Sequence, residues 1–291
     1  MTGALRPSSR AAYAWAAGSA AAFGTMNFCA HVASARIHWS MTGAARSIVG
    51  AGIAYGVARV RGVPTRVADR RGIWQRSFAG TAAMLFTFYA LGTRLPLGDA
   101  VTLLNLTPVL LALLGPALLG ERAGRRVWVA VPLCMVGLAL IVRPELTAGR
   151  GALVGAGAAI ASALSATFAY ASLRRLGRES PEAVALHFSL VAAVVLSAVA
   201  ALHASVPSPS TLGWMLGAGL MGGVAQLALT RAYALEQAAR VASVGYLAVV
   251  VSALLGALAL HEWPSARALL GMALIVSGGL VVTLAGAMRA R

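Results

Sequence analysis

Apolar residues run along this chain in long blocks, parted by short gaps that carry arginine, proline, serine or an acid. A helix needs about 20 mainly apolar residues to cross a bilayer. Ten blocks meet that need, roughly at 11–31, 41–60, 73–93, 98–119, 125–143, 151–173, 182–204, 211–233, 239–260 and 266–286. Polar and apolar positions do not alternate within the blocks, which excludes the strands of a membrane β-barrel. In hydrocarbon the backbone must then pair with itself as helix. The predicted fold is an all-α membrane protein with ten transmembrane helices.

The first block needs a decision. Arg6 and Arg10, an apolar stretch and Ala33-Ser34-Ala35 imitate a secretory signal with its cleavage site. The stretch is about twenty residues, longer than a signal core of about 7–15, so it is read as the first membrane helix.

Composition agrees. The chain is 59% hydrophobic and 11% charged, against about 25% charged in soluble domains. This excludes an ordinary soluble enzyme and a disordered chain. The net charge of +16 rests on arginine alone, with no lysine. The arginines are spread through the short gaps, as in the cytoplasmic loops of membrane proteins, so nucleic acid is excluded as a partner. Eighteen fall in segments on the side of the N-terminus, Arg76 counted among them, and only Arg36, Arg94, Arg143, Arg150 and Arg267 fall on the other side. That bias predicts both termini in the cytoplasm, in a bacterial inner membrane. Cys29 and Cys134 lie inside apolar blocks and read as packing residues, without metal or disulfide spacing.

The two halves of the chain are alike. Tyr89-Ala90-Leu91 matches Tyr233-Ala234-Leu235, and an offset of 141 residues carries Glu121 onto Glu262 and Gly137 onto Gly278. Five helices per half, an odd number, invert the second half relative to the first. The expected division is 1–146 and 147–291. Inverted repeats characterise secondary transporters, with the substrate near the midplane between halves.

A family resemblance rests on these same residues. Phe88-Tyr89-Ala90-Leu91, Leu97-Gly98-Asp99-Ala100, Thr107-Pro108-Val109, Leu119-Gly120-Glu121-Arg122 and Gly137 resemble the EamA repeat of the drug/metabolite transporter superfamily. In the second half Gln226, Tyr233-Ala234-Leu235, Tyr246, Glu262 and Leu270-Gly271 through Gly278 resemble it too, as does Arg46 early in the second span. The second half departs from the pattern where Val249 stands for Pro108 and His261 for the glycine before Glu262. The resemblance implies a ten-helix exporter, and first among its bacterial members the exporters of aromatic and other amino acids. Drugs, nucleosides or other metabolites are the alternative cargo. A sensor or scaffold without transport, or an intramembrane enzyme, is the alternative class.

Charges inside spans are costly and mark function first. Arg46 and His187 are the ionisable residues placed there. Arg46 suits a substrate carboxylate or a structural role, the latter favoured, and His187 reads as a satisfied polar residue. All eight acids fall in loops or at helix ends, so a buried carboxylate relay is not expected. That favours a facilitator or exchanger. The candidate cavity residues are Asn105, Thr107 and Pro108, where proline frees a carbonyl of the preceding turn, with Ser162, Ser165, Gln226 and Tyr246. Phe88, Tyr89 and Phe168 supply an aromatic lining, with Phe86 and Tyr170 beside them, and Asn27 is a weaker candidate. Such a cavity is expected to be mainly uncharged and to prefer neutral or amphipathic solutes. Gly151-xxx-Gly155, Gly213-xxx-Gly217 and Gly219-xxx-Gly223 are expected at helix contacts. Glu121 and Glu262 are expected as end-of-helix caps or gates. HExxH, GxSxG and P-loop motifs are absent from the sequence; neither cofactor nor metal is expected, and no enzymatic activity. The expected partners are the lipid bilayer and a small-molecule substrate, with a monomer as the working unit.

Overall fold

The computed structural model describes residues 7–119, 129, 132–133, 135–137, 140, 149–236, 241 and 244–289. Ten helices are described: α1 Pro7–Ser34, α2 Trp39–Val60, α3 Arg70–Leu91, α4 Leu97–Leu104, α5 Thr107–Leu119, α6 Gly149–Arg175, α7 Pro181–Ala201, α8 Pro209–Leu235, α9 Leu247–Leu260 and α10 Ala266–Arg289. The described residues contain no strand. Most of the expected fifth span lies outside them, together with Glu121 and Cys134. The fold is all-α, as the apolar blocks predict.

Helix ends follow from short polar residues. Asp69 accepts from the Gly72 amide at 2.8 Å. Ser180 and Ser208 each precede a proline, which suits the first turn because it lacks an N–H that would go unpaired there. They accept from the amides of Ala183 at 3.0 Å and Thr211 at 3.3 Å. The α9 end is different. His261 closes it with φ +57°, the left-handed region that favours glycine. The first half carries Gly120 at the equivalent position in sequence.

The expected fourth span is broken in two. The chain leaves α4 at Asn105 and re-enters helix at Thr107, just before Pro108. Proline leaves the Leu104 carbonyl without its helical donor, and the Thr107 hydroxyl donates to it instead at 3.1 Å. The expected ninth span breaks at Tyr246, with Val249 in the proline position.

Among the described residues, four stretches are long and apolar enough to cross a membrane by length and hydropathy alone: Leu97–Gly115, Gly151–Arg175, Pro181–Ala201 and Pro209–Leu235. The outward surface is apolar as well. Ile48, Phe78, Leu153, Val194, Leu220 and Leu254 are all exposed, which suits lipid rather than water.

Packing is reciprocal. The most extensive contacts place α1 on α8 and α3 on α6, with α2 on α7. Next come α2 on α8 and α1 on α9, then α3 on α7 and α5 on α6. Hydrogen bonds repeat the same exchange. Ser19 of α1 donates to the Ala225 carbonyl of α8 at 2.8 Å, and Ser162 of α6 donates to the Ala83 carbonyl of α3 at 2.9 Å. In lipid the hydrophobic effect does not draw helices together. Small residues and interhelical bonds of about 0.6–2 kcal/mol do.

The glycines divide accordingly. A side chain at Gly219 would lie 2.7 Å from Val49, and one at Gly223 would lie 2.6 Å from Ile53, so α2 and α8 touch there. Gly155 abuts Thr93 and Gly217 abuts Cys29, whereas Gly151 and Gly213 face open space. Each of those two pairs therefore uses one glycine.

Two stability effects are expected in detergent thermal-unfolding experiments. Gly219→Val should destabilise by about 1–3 kcal/mol, because Val49 sits on rigid helix and cannot give way. His261→Gly should stabilise by about 1 kcal/mol by relieving the left-handed strain.

Candidate functional site

A cavity of about 170 Å³ lies where the halves meet. Helices α1, α2, α3, α6, α7 and α8 wall it, and the breaks before α5 and α9 open onto it. The α3 residues Arg76, Gly80, Ala83, Met84, Thr87 and Phe88 line it. On α6 the stripe is Ser162, Ala166, Ala169 and Tyr170. Both follow the helical repeat of 3.6 residues.

Of the residues singled out in the sequence, Arg46, Phe88, Asn105, Thr107, Pro108 and Gln226 line the cavity, with Asn27 and Ser162. Asn105 donates to the Val101 carbonyl at 2.8 Å. Thr107 also reaches the Ala163 carbonyl, at 3.4 Å, and Gln226 donates to the Thr230 hydroxyl at 3.3 Å. Tyr89, Ser165, Phe168 and Tyr246 are not among the lining residues. Tyr89 lies across α3 from the lining stripe, edge-on to Trp39 with ring centres 5.6 Å apart. Ser165 bonds its own helix at the Ala161 carbonyl, at 2.9 Å. Phe168 is exposed on the outer face of α6. Tyr246 is buried one position past the lining residue Gly245. His187 bonds the Ser77 hydroxyl at 2.8 Å and stands outside the cavity.

The cavity is not the uncharged space expected from the sequence. Two arginines line it and, among the described residues, no acid does. Arg46 and Arg76 are both 2% exposed. Their Cζ atoms lie 5.7 Å and 4.3 Å from the centre of the same Phe188 ring. The two guanidinium carbons therefore lie within about 10 Å of each other, so their like charges repel. Arg46 Nη2 donates to the Gly222 carbonyl at 3.2 Å. Among the described residues Arg46 Nη1 and Arg76 Nε and Nη1 have no acceptor.

Glycine makes room for both groups. A side chain at Gly80 would collide with the Arg76 guanidinium, and one at Gly222 would press on Arg46 Nε at 2.8 Å. Gly50 also borders Arg46. The sequence carries a signal for this that charge counting hides. Arg46-Ser47-Ile48-Val49-Gly50 and Arg76-Ser77-Phe78-Ala79-Gly80 are the same pattern, with the glycine one turn past each arginine. Arg76 was counted with the loop arginines because it stands near the start of its block.

Two tyrosines join them. Tyr170 and Tyr233 line the cavity with ring centres 5.2 Å apart, and the Tyr233 hydroxyl is buried without a partner among the described residues. Tyr233 is the counterpart of Tyr89 in the repeated Tyr-Ala-Leu element. One faces the cavity and the other does not.

Each end of the bundle carries an acid that ties helices together. At one end Glu182 pairs with Arg61 at 2.5 Å and with Arg231 at 2.8 Å, joining α2, α7 and α8. Arg231 also lies over the Trp15 ring of α1 at 4.9 Å. At the other end Glu262 meets His31 Nε2 at 3.2 Å and accepts from the Leu97 amide at 2.8 Å, joining α1, α4 and the α9 end. His31 Nδ1 faces the Leu91 carbonyl at 2.9 Å. Both ring nitrogens face acceptors, so both bonds form together only when both carry protons.

These features define a polytopic membrane protein with a cavity between two sets of helices and two arginines in its lining, the anatomy of a transporter. The chain belongs to the EamA-like transporter family, whose sequence model matches residues 10–143 and again residues 150–284. A pseudopaline exporter of Pseudomonas aeruginosa strain UCBPP-PA14 is 30% identical over 261 residues, which cover 87% of this chain and 89% of the relative. A riboflavin transporter of Rhizobium johnstonii is 33% identical over 193 residues, 64% of this chain and 62% of that one. A riboflavin transporter of Vibrio cholerae is 27% identical over 212 residues, covering 72% and 70%. A solved crystal structure superposes with a TM-score of 0.69 at 22% identity, over 94% of this chain and 99% of its own, so it shares the fold. The family and these relatives are transporters of small molecules, and this chain is a small-molecule transporter of the drug/metabolite type.

Burial pushes the Glu262 carboxyl up, but hydrogen bonds from His31 and the Leu97 amide, with the charge on His31, hold it below its ordinary value. A depressed carboxylate stabilises the fold above its ordinary range and loses that contribution as the pH falls through its folded value. Glu262→Ala should therefore cost about 1–3 kcal/mol at about pH 6 and much less at about pH 3, read by thermal unfolding in detergent at both. An equal loss at both values would mean that the carboxylate charge does not hold this end.

Proposed function

We propose that the chain is a secondary transporter of a bacterial cytoplasmic membrane that exports small carboxylate-bearing metabolites, amino acids and their derivatives among them. In this reading ten membrane helices form two inverted five-helix repeats, residues 1–146 and 147–291, with both termini in the cytoplasm. The cavity carries the reading, because between reciprocal helix sets it is lined by two arginines whose buried donors lack acceptors among the described residues. Asn105, Thr107, Gln226, Arg46 and Phe88 contact the solute. The helix breaks before α5 and α9 let the walls bend, and the acids Glu182 and Glu262 hold opposite ends closed in turn. The acids sit at those ends, so the reading is facilitated movement down the solute's own gradient.

A second reading has specific support. The relatives named for pseudopaline and riboflavin suggest a larger cargo than a free amino acid. The cavity of about 170 Å³ is smaller than the ~300–1,000 Å³ of ordinary ligand sites, so a larger cargo requires the walls to part.

Reconstitution into liposomes tests both. Labelled phenylalanine, glutamate and riboflavin are offered with and without an imposed proton gradient. Saturable flux of a carboxylate-bearing solute, unchanged by the gradient, is the expected result. Flux that requires the gradient would overturn the facilitated mechanism, and riboflavin carried in preference to the amino acids would favour the second reading. Flux no faster than in protein-free liposomes for every compound would overturn transport of this solute class.

A further inference from the structure

We propose that Arg46 and Arg76 form a two-point anion clamp and that the species carried is a small organic dianion with two carboxylates. This deepens the transport reading above and rests on it.

The inference starts from what the cavity lacks. A guanidinium group only donates hydrogen bonds. Arg46 Nη1 and Arg76 Nε and Nη1 are buried donors without acceptors among the described residues, and unpaired buried donors are costly. Phe188 meets both cations with its ring, and the Gly222 carbonyl takes one bond from Arg46. These contacts leave two positive charges and three buried donor atoms beside a space with no acid in its described lining. The missing partner must bring acceptors and negative charge.

The helix sequences are built to keep the charges there. The Arg-Ser-x-x-Gly pattern occurs in α2 and again in α3, and in each the glycine opens the space beside its arginine. The serines bond elsewhere, Ser47 to the Gly43 carbonyl at 2.7 Å and Ser77 to His187, so neither neutralises the pair. Arginines used only for packing would have acceptors at all of their buried nitrogens.

Charge then selects among solutes. A neutral zwitterion offers one carboxylate, and its ammonium is repelled by the second guanidinium. A flavin offers polar acceptors with little charge. A dicarboxylate offers four oxygens and two charges, and separated carboxylates suit two cations that meet one aromatic ring. Planar guanidinium groups also match carboxylates in geometry. The Tyr233 hydroxyl, buried and without a partner among the described residues, supplies one further neutral donor.

Isothermal titration of the full-length protein in detergent tests this with glutarate, phenylalanine and inorganic phosphate as probes. Glutarate should bind most tightly. Arg46→Gln and Arg76→Gln should each weaken glutarate roughly 10- to 100-fold and phenylalanine much less, because one arginine still serves one carboxylate. Gly80→Ala crowds the Arg76 guanidinium without removing its charge and should fall between, which keeps the test open if a glutamine variant does not fold. No glutarate binding, tighter binding of phenylalanine or phosphate, or equal losses for all three probes would overturn the clamp. Counterflow in liposomes separates the two readings. Flux of phenylalanine without glutarate binding sinks the clamp and leaves transport standing. Glutarate binding without flux of any compound sustains the clamp and sinks transport.

Discussion

Two buried guanidinium groups set the terms for the rest of this bundle. A cation in hydrocarbon is costly, so both must point inward, away from the apolar surface that faces lipid. Each also needs volume beside a helix, where side chains ordinarily fill the space. Glycine supplies it, at Gly50 and Gly222 for Arg46 and at Gly80 for Arg76. The same glycine-rich face of α8 then lets α2 approach closely at Gly219 and Gly223. Charge placement and helix packing are thus one problem with one solution. The aromatic ring of Phe188 completes it by giving both cations a π-face in place of water.

Much of this was legible in the sequence. Long apolar blocks dictate membrane helices because the backbone has no other way to satisfy itself in lipid. Proline before Val109 marks the break between α4 and α5, whereas the matching break at Tyr246 has valine in that position and carries no such mark. The repeated Tyr-Ala-Leu, acid and glycine elements point to the family. Three things were hidden. Arg76 looks like a loop residue when charges are sorted by distance from a block edge, and only its likeness to the Arg46 segment reveals it. Ser165 and Phe168 lie off the lining stripe of α6, a helix so rich in alanine that polarity alone does not mark its inner face. Tyr89 and Tyr233 occupy matching positions in the repeated element, yet one packs on Trp39 and the other on Tyr170. Sequence likeness between halves therefore located equivalent positions without assigning them equal roles.

The acids at the ends divide the structure by function. Glu182 and Glu262 each join three elements at opposite ends of the bundle, and neither reaches the cavity lining. Charge pairing at the ends fixes helices to each other, while charge without pairing faces the interior. Among the described residues, that segregation leaves the central cations without an acid beside them. Any solute that compensates them does so in a bundle whose two ends are each tied by an acid.

The exchange of partners between halves also bears on how the chain is made. Ser19 finds its acceptor 206 residues later, on α8. At about 5–20 residues per second, the first helix waits about 10–40 s in the membrane before that partner is synthesised. During this interval its hydroxyl and its small-residue face are open to lipid or to other proteins. The first half cannot finish folding on its own, because its largest contacts are with helices not yet made. Assembly is therefore a late, concerted event. The cell's insertion machinery has to hold an incomplete set of helices together until α8 and α9 arrive.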